Sequence, residues 1–411
     1  MNNQQALNAT HQIGLSKLGL FKLGSSAKTS ADSRANSRAT NHAGPKVKTE
    51  YGQVDWWLLA IVLTLLCLGL LMVLSASGVV GERLLGNKYF FFKKQIIFAV
   101  SGGIALAAAA WLPRNLLDKL AYPALFLAFI LLALCLSPAG VKVNGASRWL
   151  VVAGFSIQPM EFARISLVLY LAYYMSTKQD MVKTFSRGVI PPFAVTGTLC
   201  CLLLLQPDFG GAILMLALLF FMCLVGGTRF FYLFFAVTMT FAGAAALVLC
   251  SPYRARRLLA FLDPFKDAMD TGYQLVQSFY ALGSGGFFGV GMGNSRQKML
   301  YLPEAHNDFI MAVVGEELGF IGITLIMLLF AMLFTRCYRI IMGQQNLRDR
   351  LTAFGLTLII ALGAVLNMAV VLGMAPPKGM SMPLISYGGS NLLASLIAIG
   401  LILNYSRTMR E

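Results

Sequence analysis

Three observations predict an all-α integral membrane protein of about ten transmembrane helices, with a long extracytoplasmic loop between the seventh and eighth. Of its 411 residues, 57% are hydrophobic and 12% charged, against about 25% charged residues in a soluble domain. Mean hydropathy is +0.71. Apolar runs near the length needed to cross a bilayer core as a helix, about 20 residues, recur along the chain. One interval, residues 251–308, is too long for a plain connection and is expected to be functional.

Residues 1–50 are rich in Ser, Ala, Asn and Thr, lack a packing pattern and read as a disordered cytoplasmic tail, leaving 51–411 as the polytopic membrane domain. Within the tail, Ile13, Leu15, Leu18, Leu20, Phe21 and Leu23 surround Lys17 and Lys22. The interrupting glycines favour a solvated tail over a helix lying on an anionic leaflet. The first apolar run, 56–75, continues to spanning length, so no cleavable signal peptide is read. The remaining spans are expected at 95–111, 120–136, 161–175, 190–205, 211–224, 230–250, 309–334, 352–372 and 384–403. Lys and Arg outside the long loop favour both termini on the cytoplasmic side, although Arg83, Lys88, Lys93 and Lys94 oppose this assignment.

The formal net charge is +16. No basic stripe with interleaved aromatics accompanies it, so nucleic acid is not the expected partner; topology, membrane lipids and anionic substrate groups account for it better. The seven cysteines fall in or beside apolar runs without CxxC spacing and read as small buried hydrophobes.

Polar residues in and beside the spans supply the candidate site. Asn144-Gly-Ala-Ser-Arg-Trp149 combines a turn signal with Arg148, which either anchors at the headgroup level or faces an anion. Gln158-Pro-Met-Glu161 opens the fourth span, and Arg164 follows at the spacing that pairs it with Glu161. Charges at this depth mark a functional site, or a neutralised pair that locks helix packing. Asp208 in Gln206-Pro-Asp208 reads as a helix cap.

Within the long loop, Arg254, Arg256 and Arg257 suit phosphate oxygens or lipid headgroups. Residues 270–280 form an amphipathic helix expected along the membrane surface. The glycine-rich run that follows, 283–298, lacks the Gly-Lys-Ser/Thr ending of a nucleotide loop, so no nucleotide cofactor is expected. Its glycines suit close packing beneath a glycan or lipid chain. Pro376, Pro377 and neighbouring glycines prescribe a non-helical outer segment presenting Lys378.

Residues 301–319 gather the rarest groups: Glu304, His306, Asp308, Glu316 and Glu317. On a helical wheel Ala312, Gly315 and Gly319 share the face of Asp308, which leaves that face small enough to border a groove. Glu316 lies about 80° away and about 12 Å deeper, and Glu317 faces the opposite side, so both read as packing or gating residues. Asp308 can serve as a general base if burial raises its pKa. His306 is the rival base, a helix-end charge is the plain alternative, and Glu304, His306 and Asp308 together could hold a divalent metal.

Residues 301–319, Asn144 to Trp149, Gln158-Pro-Met-Glu161, Gln206-Pro-Asp208, Gly272-Tyr-Gln274, Gly289 to Ser295 and Pro377-Lys-Gly379 through Ser390 resemble the SEDS (shape, elongation, division, sporulation) glycosyltransferases. The likeness covers nearly all of residues 56–405. The Pro-Glu-Ala-His and Gly-Glu-Glu-Leu-Gly wording is nearer the cell-division branch than the elongation branch, and much of 280–303 is shared with the sporulation branch. The pattern usually has Thr where this chain has Asn307.

The resemblance implies an inverting, lipid II-dependent peptidoglycan polymerase on the outer face of the bacterial cytoplasmic membrane, acting at the division septum. Asp308 then matches the essential aspartate that deprotonates the acceptor hydroxyl. Arg148, Arg254, Arg256, Arg257 and Lys378 fit the pyrophosphate leaving group, and Glu304 and His306 support. Asp208 matches a second functional acid, so Asp208 and Asp308 become candidate ligands for a divalent cation, Mg or Mn. The implied partners are lipid II, the nascent glycan strand, a class B penicillin-binding protein transpeptidase and other division-complex proteins. A lipid flippase or a non-catalytic scaffold is the alternative, since fold alone does not decide function.

Overall fold

The computed structural model describes residues 52–143, 146–152, 154–249, 261–270, 272–299, 301–377 and 379–407. The N-terminal tail, Arg254, Arg256, Arg257 and Lys378 lie outside the described residues. The helices are α1 Trp56–Leu85, α2 Phe90–Ala110, α3 Arg114–Leu136, α4 Pro159–Thr177, α5 Ile190–Leu205, α6 Phe209–Val225, α7 Phe230–Leu249, α8 Tyr273–Gly285, α9 Ile310–Met342, α10 Leu347–Val371 and α11 Gly389–Ser406. A helix stands at each of the ten apolar segments. Among the described residues, seven stretches are long and apolar enough to cross a membrane: α1, α2, α3, the π-helical lead-in with α5 (Phe185–Leu205), α9, α10 and α11. Helix α4 is buried along nearly its whole length, so packing against neighbours, rather than contact with lipid, sets its composition.

The sequence reading missed a small antiparallel sheet between α3 and α4: β1 Gly140–Val143, β2 Ala146–Val152 and β3 Phe155–Ile157 in the order β1-β2-β3. Asn144 and Gly145, the expected turn, lie outside the described residues. The strands are only 4, 7 and 3 residues long, too short for alternation to stand out between apolar spans.

Helix α1 is a rail for the outer half of the molecule. Asp55 caps its start, accepting from the Leu58 N–H at 2.9 Å, and Gly86 at φ 65° ends it. Asp55 also accepts from Arg336 near the end of α9, at 3.0 Å. Leu58, Val62, Leu65, Gly69, Met72 and Ala76 make its buried stripe at three- and four-residue spacing. A Cβ at Gly69 would stand 2.3 Å from the Leu384 carbonyl, so only glycine lets the segment between α10 and α11 rest on this helix.

Helix α9 is broken at Gly319, at φ 67° and ψ −162°. A break inside a membrane helix frees backbone groups that lipid cannot satisfy. The glycine-rich loop after α8 supplies the partners. Val290 and Gly291 donate to the Glu316 and Glu317 carbonyls at 2.9 and 3.0 Å, while Phe320 and Ile321 donate to Gly286 and Phe287 at 3.0 and 3.3 Å. Helix α8 packs against α9 at its C-terminal end, bringing Gly285 against Gly315. Gly285 and Gly289 pack against the broken helix of this same chain, and a Cβ at Gly289 would stand 2.2 Å from the Glu317 carbonyl.

The carboxylates next to the break face the same loop. Glu316 accepts from the Ser295 hydroxyl and from the Arg296 and Gln297 N–H groups at 2.9 and 3.3 Å. Glu317 accepts from Lys298 Nζ at 2.7 Å and from the Ser75 hydroxyl of α1 at 2.7 Å.

Candidate active site

Asp308 lies in the turn just ahead of α9, not on the helix itself as the wheel assumed. The Glu304 carbonyl, on a residue with φ 54°, accepts from the Asn307 and Asp308 N–H groups at 3.0 and 3.1 Å. The turn is held from two sides. Asn367 of α10 donates through Nδ2 to the carbonyls of Asp308 and Met380 at 2.8 and 2.7 Å. The Tyr387 N–H donates to the His306 carbonyl at 3.0 Å. One amide thus joins the Asp308 turn to the segment between α10 and α11. Removing it leaves two carbonyls without that donor, so Asn367→Ala is expected to cost about 1–3 kcal/mol of stability, measured as a lowered thermal unfolding midpoint in detergent.

Protein packs closely around the Asp308 carboxyl and pushes its pKa up to about 7; the negative charge of Glu304 adds to the rise, and Arg148 opposes it. His306 moves the other way, lowered by burial against the pull of Glu304. Its ring centroid lies 4.9 Å from that of Phe91 and 5.6 Å from that of Tyr387, and its buried Nδ1 has no hydrogen-bond partner. Burial thus favours the neutral imidazole, and its ring packs against Phe91 and Tyr387.

Arg148 arrives on β2. It donates to the Pro207 carbonyl and lies 3.9 Å from the Asp208 carboxylate. Asp208 is the cap the sequence suggested, accepting from the Gly211 N–H at 3.0 Å at the start of α6. Glu161 and Arg164 of α4 form the expected ion pair, buried on both sides. Asp208 and this pair line a small polar cleft together with Gln158, Ser381 and Asn391. Gly379 joins the cleft to Asp308, because a Cβ there would lie 3.3 Å from Asp308 Oδ2. Arg164 therefore lines the cleft directly, Arg148 stands behind it through Asp208, and Asp308 adjoins it at Gly379.

Among the described residues no group of three His, Cys, Asp or Glu side chains could hold a metal ion. Glu304, His306 and Asp308 do not gather as ligands: the His306 ring packs against those of Phe91 and Tyr387. Asp208 is already committed to its cap and to Arg148. A third ligand is lacking among the described residues, so these side chains do not form a cage for a resident cation. Glu316 and Glu317 hold the glycine-rich loop instead of facing the cleft. Sequence reasoning missed Asn367, whose signal was a lone amide in the apolar ninth span. It also missed the pairing of Lys298 with Ser75, which no local pattern announces.

The family model described as "Cell cycle protein", covering FtsW, RodA and SpoVE, matches residues 56–411. The chain belongs to this family. The FtsW/RodA/SpoVE chain described here is 41% identical over 354 residues to a "Probable peptidoglycan glycosyltransferase FtsW" of Geobacter sp. (strain M18), covering 86% of this chain and 96% of that one. It is 40% identical over 361 residues to the "Stage V sporulation protein E" of Bacillus subtilis (strain 168), covering 87% and 98%. Among solved structures it is similar to a chain from a study of the "Structural coordination of polymerization and crosslinking by a peptidoglycan synthase complex", with a TM-score of 0.70, 27% identity and coverage of 87% and 99%. The rod shape determining protein RodA of Thermus thermophilus matches with a TM-score of 0.64 and 29% identity over 87% and 98% of the two chains. The fold is thus the all-α membrane architecture of this family.

Proposed function

We propose that this chain is a peptidoglycan glycosyltransferase that polymerises lipid II into β-1,4-linked glycan strands, with Asp308 as the general base. The observation that carries the reading is the placement of Asp308: an outer-edge carboxyl with its pKa raised to about 7, beside a cleft that brings Arg164 and Asp208 together. A base of that pKa matches the operating pH of a hydroxyl-activating step. The relatives' names, which describe peptidoglycan glycosyltransferases, support the same reading.

In the proposed step the Asp308 carboxylate removes the proton of the acceptor sugar hydroxyl as its oxygen attacks the anomeric carbon of the lipid-linked donor. The bond to the pyrophosphate oxygen breaks with inversion, and the electron pair leaves with undecaprenyl pyrophosphate. Arg164, which lines the cleft, and Arg148, beside Asp208, are assigned to the additional negative charge that the pyrophosphate gains as it leaves, which favours the transition state over the ground state. Arg254, Arg256, Arg257 and Lys378 are assigned to the same anion from the sequence. Glu161 keeps Arg164 oriented, and Asp208 does the same for Arg148.

The enzyme works in the bacterial cytoplasmic membrane at the division septum, with the site on the outer face and a class B penicillin-binding protein as its transpeptidase partner. The test is polymerisation of purified lipid II by the chain and that partner in detergent or nanodiscs. Glycan polymer is the expected product; passage of lipid II across vesicles without polymer would replace this reading with a flippase.

A further inference from the structure

The cluster formed by Ser75, Lys298 and Glu317 lies apart from the cleft and has no role in the chemistry proposed above. It is buried: Ser75 is partly covered, Lys298 is 5% exposed and Glu317 is fully enclosed. Lys298 Nζ donates to Glu317 at 2.7 Å and to the Ser75 hydroxyl at 3.1 Å, and the Ser75 hydroxyl donates to Glu317 at 2.7 Å. Burying two charges together costs more than burying an apolar pair of the same volume, so stability alone does not call for such a cluster.

Its topology supplies the reason. Asp308 lies near the middle of the chain between Lys298 and Glu317, so their contact closes a loop with the base at its far side. Ser75 fastens that closure to α1. The same helix, six residues earlier at Gly69, carries the Leu384 and Ile385 backbone of the segment that roofs the cleft. Helix α1 is therefore the shared support of the Asp308 turn and of the cleft roof, and the cluster is the polar bond between that support and the turn. The glycine-rich loop does not need Lys298 for its own fold, because Glu316 holds Ser295, Arg296 and Gln297 independently.

We propose that Lys298 and Glu317, through Ser75, are positioning residues that fix the height of the Asp308 turn relative to the cleft. The proposal rests on the reading of Asp308 as the base. A positioning error of about 1 Å at a reacting group costs on the order of 100-fold in rate, whereas binding of the remote lipid and sugar groups is largely kept.

The test uses the full chain with its transpeptidase partner and purified lipid II, and combines turnover with hydrogen exchange of residues 301–309. Lys298→Met is expected to lower kcat by about 10- to 100-fold with KM changed by less than about threefold, and to speed exchange of 301–309. Ser75→Ala, a milder change that keeps the ion pair, is expected to lower kcat about threefold, and Lys298→Arg to restore most of it. The proposal is overturned if Lys298→Met leaves kcat within about twofold of the parent, or raises KM alone, or loses activity only in proportion to folded protein with exchange of 301–309 unchanged. Exchange does not depend on which residue is the base, so Asp308→Ala in the same assay tests that reading separately.

Discussion

Asp308→Asn reduces glycan synthesis by about 100- to 10,000-fold, the range a general base supplies, with the folded protein unchanged in amount. Asn keeps the volume and accepts the same packing but takes no proton. The parent enzyme gains activity as pH rises, because the base form is the ionised carboxylate. With the pKa pushed up to about 7, the acid limb is centred near neutrality, not near the usual carboxylate range. Glu304→Gln removes a negative neighbour that raises this pKa, so the limb moves to lower pH. A pH–kcat/KM profile of the three proteins checks both signs, and an unshifted limb in Glu304→Gln would show that another group titrates. If Asp308→Asn polymerises as the parent does, the assignment of the base is wrong.

Gly319→Ala is expected to destabilise the fold by roughly 3 kcal/mol or more, since it forces a side chain into glycine-only backbone and into occupied space. A Cβ at this position would lie 2.3 Å from the Gly289 nitrogen and 2.6 Å from the Phe287 carbonyl. The chain has two responses. It can push the glycine-rich loop away, or it can straighten α9; either one breaks the four backbone hydrogen bonds that span the break. Thermal unfolding in detergent, followed by the midpoint, measures the loss, and lipid II polymerisation falls with it. Gly86→Ala is a suitable control, because that glycine also has positive φ but meets nothing within 4 Å of an added Cβ. A midpoint drop no larger in Gly319→Ala than in Gly86→Ala would mean that the break is not locked by the loop.

The cleft was partly legible from local chemistry. Glu161 and Arg164 stand one turn apart on a helix, so their pairing follows from spacing alone. Asp208 ahead of a run of small residues announces a cap, and the structure has it capping Gly211. Arg148 was harder. Its strand could not be told from a loop, and only the sheet β1-β2-β3 carries it across to Pro207 and Asp208. Asn367 acts on partners 59 and 13 residues away, and Lys298 on partners 19 and 223 residues away; no periodicity records such distances.

The sequence by itself determined that this protein is an all-α membrane protein. Hydrocarbon accepts only long apolar segments with internally bonded backbone, and that constraint is written in composition and run length. It also determined that residues 301–319 hold the richest store of proton-transfer groups. What only the tertiary structure decided is how that store divides. The wheel treated 308–319 as one helix, but Gly319 breaks it and Asp308 precedes it. Glu316 and Glu317 turn to the glycine-rich loop, His306 packs against the rings of Phe91 and Tyr387, and the Asp308 carboxyl adjoins the cleft at Gly379. A carboxylate's role depends on the groups that surround it in space, and those come from α1, α10 and the segment between α10 and α11 rather than from its neighbours in the chain.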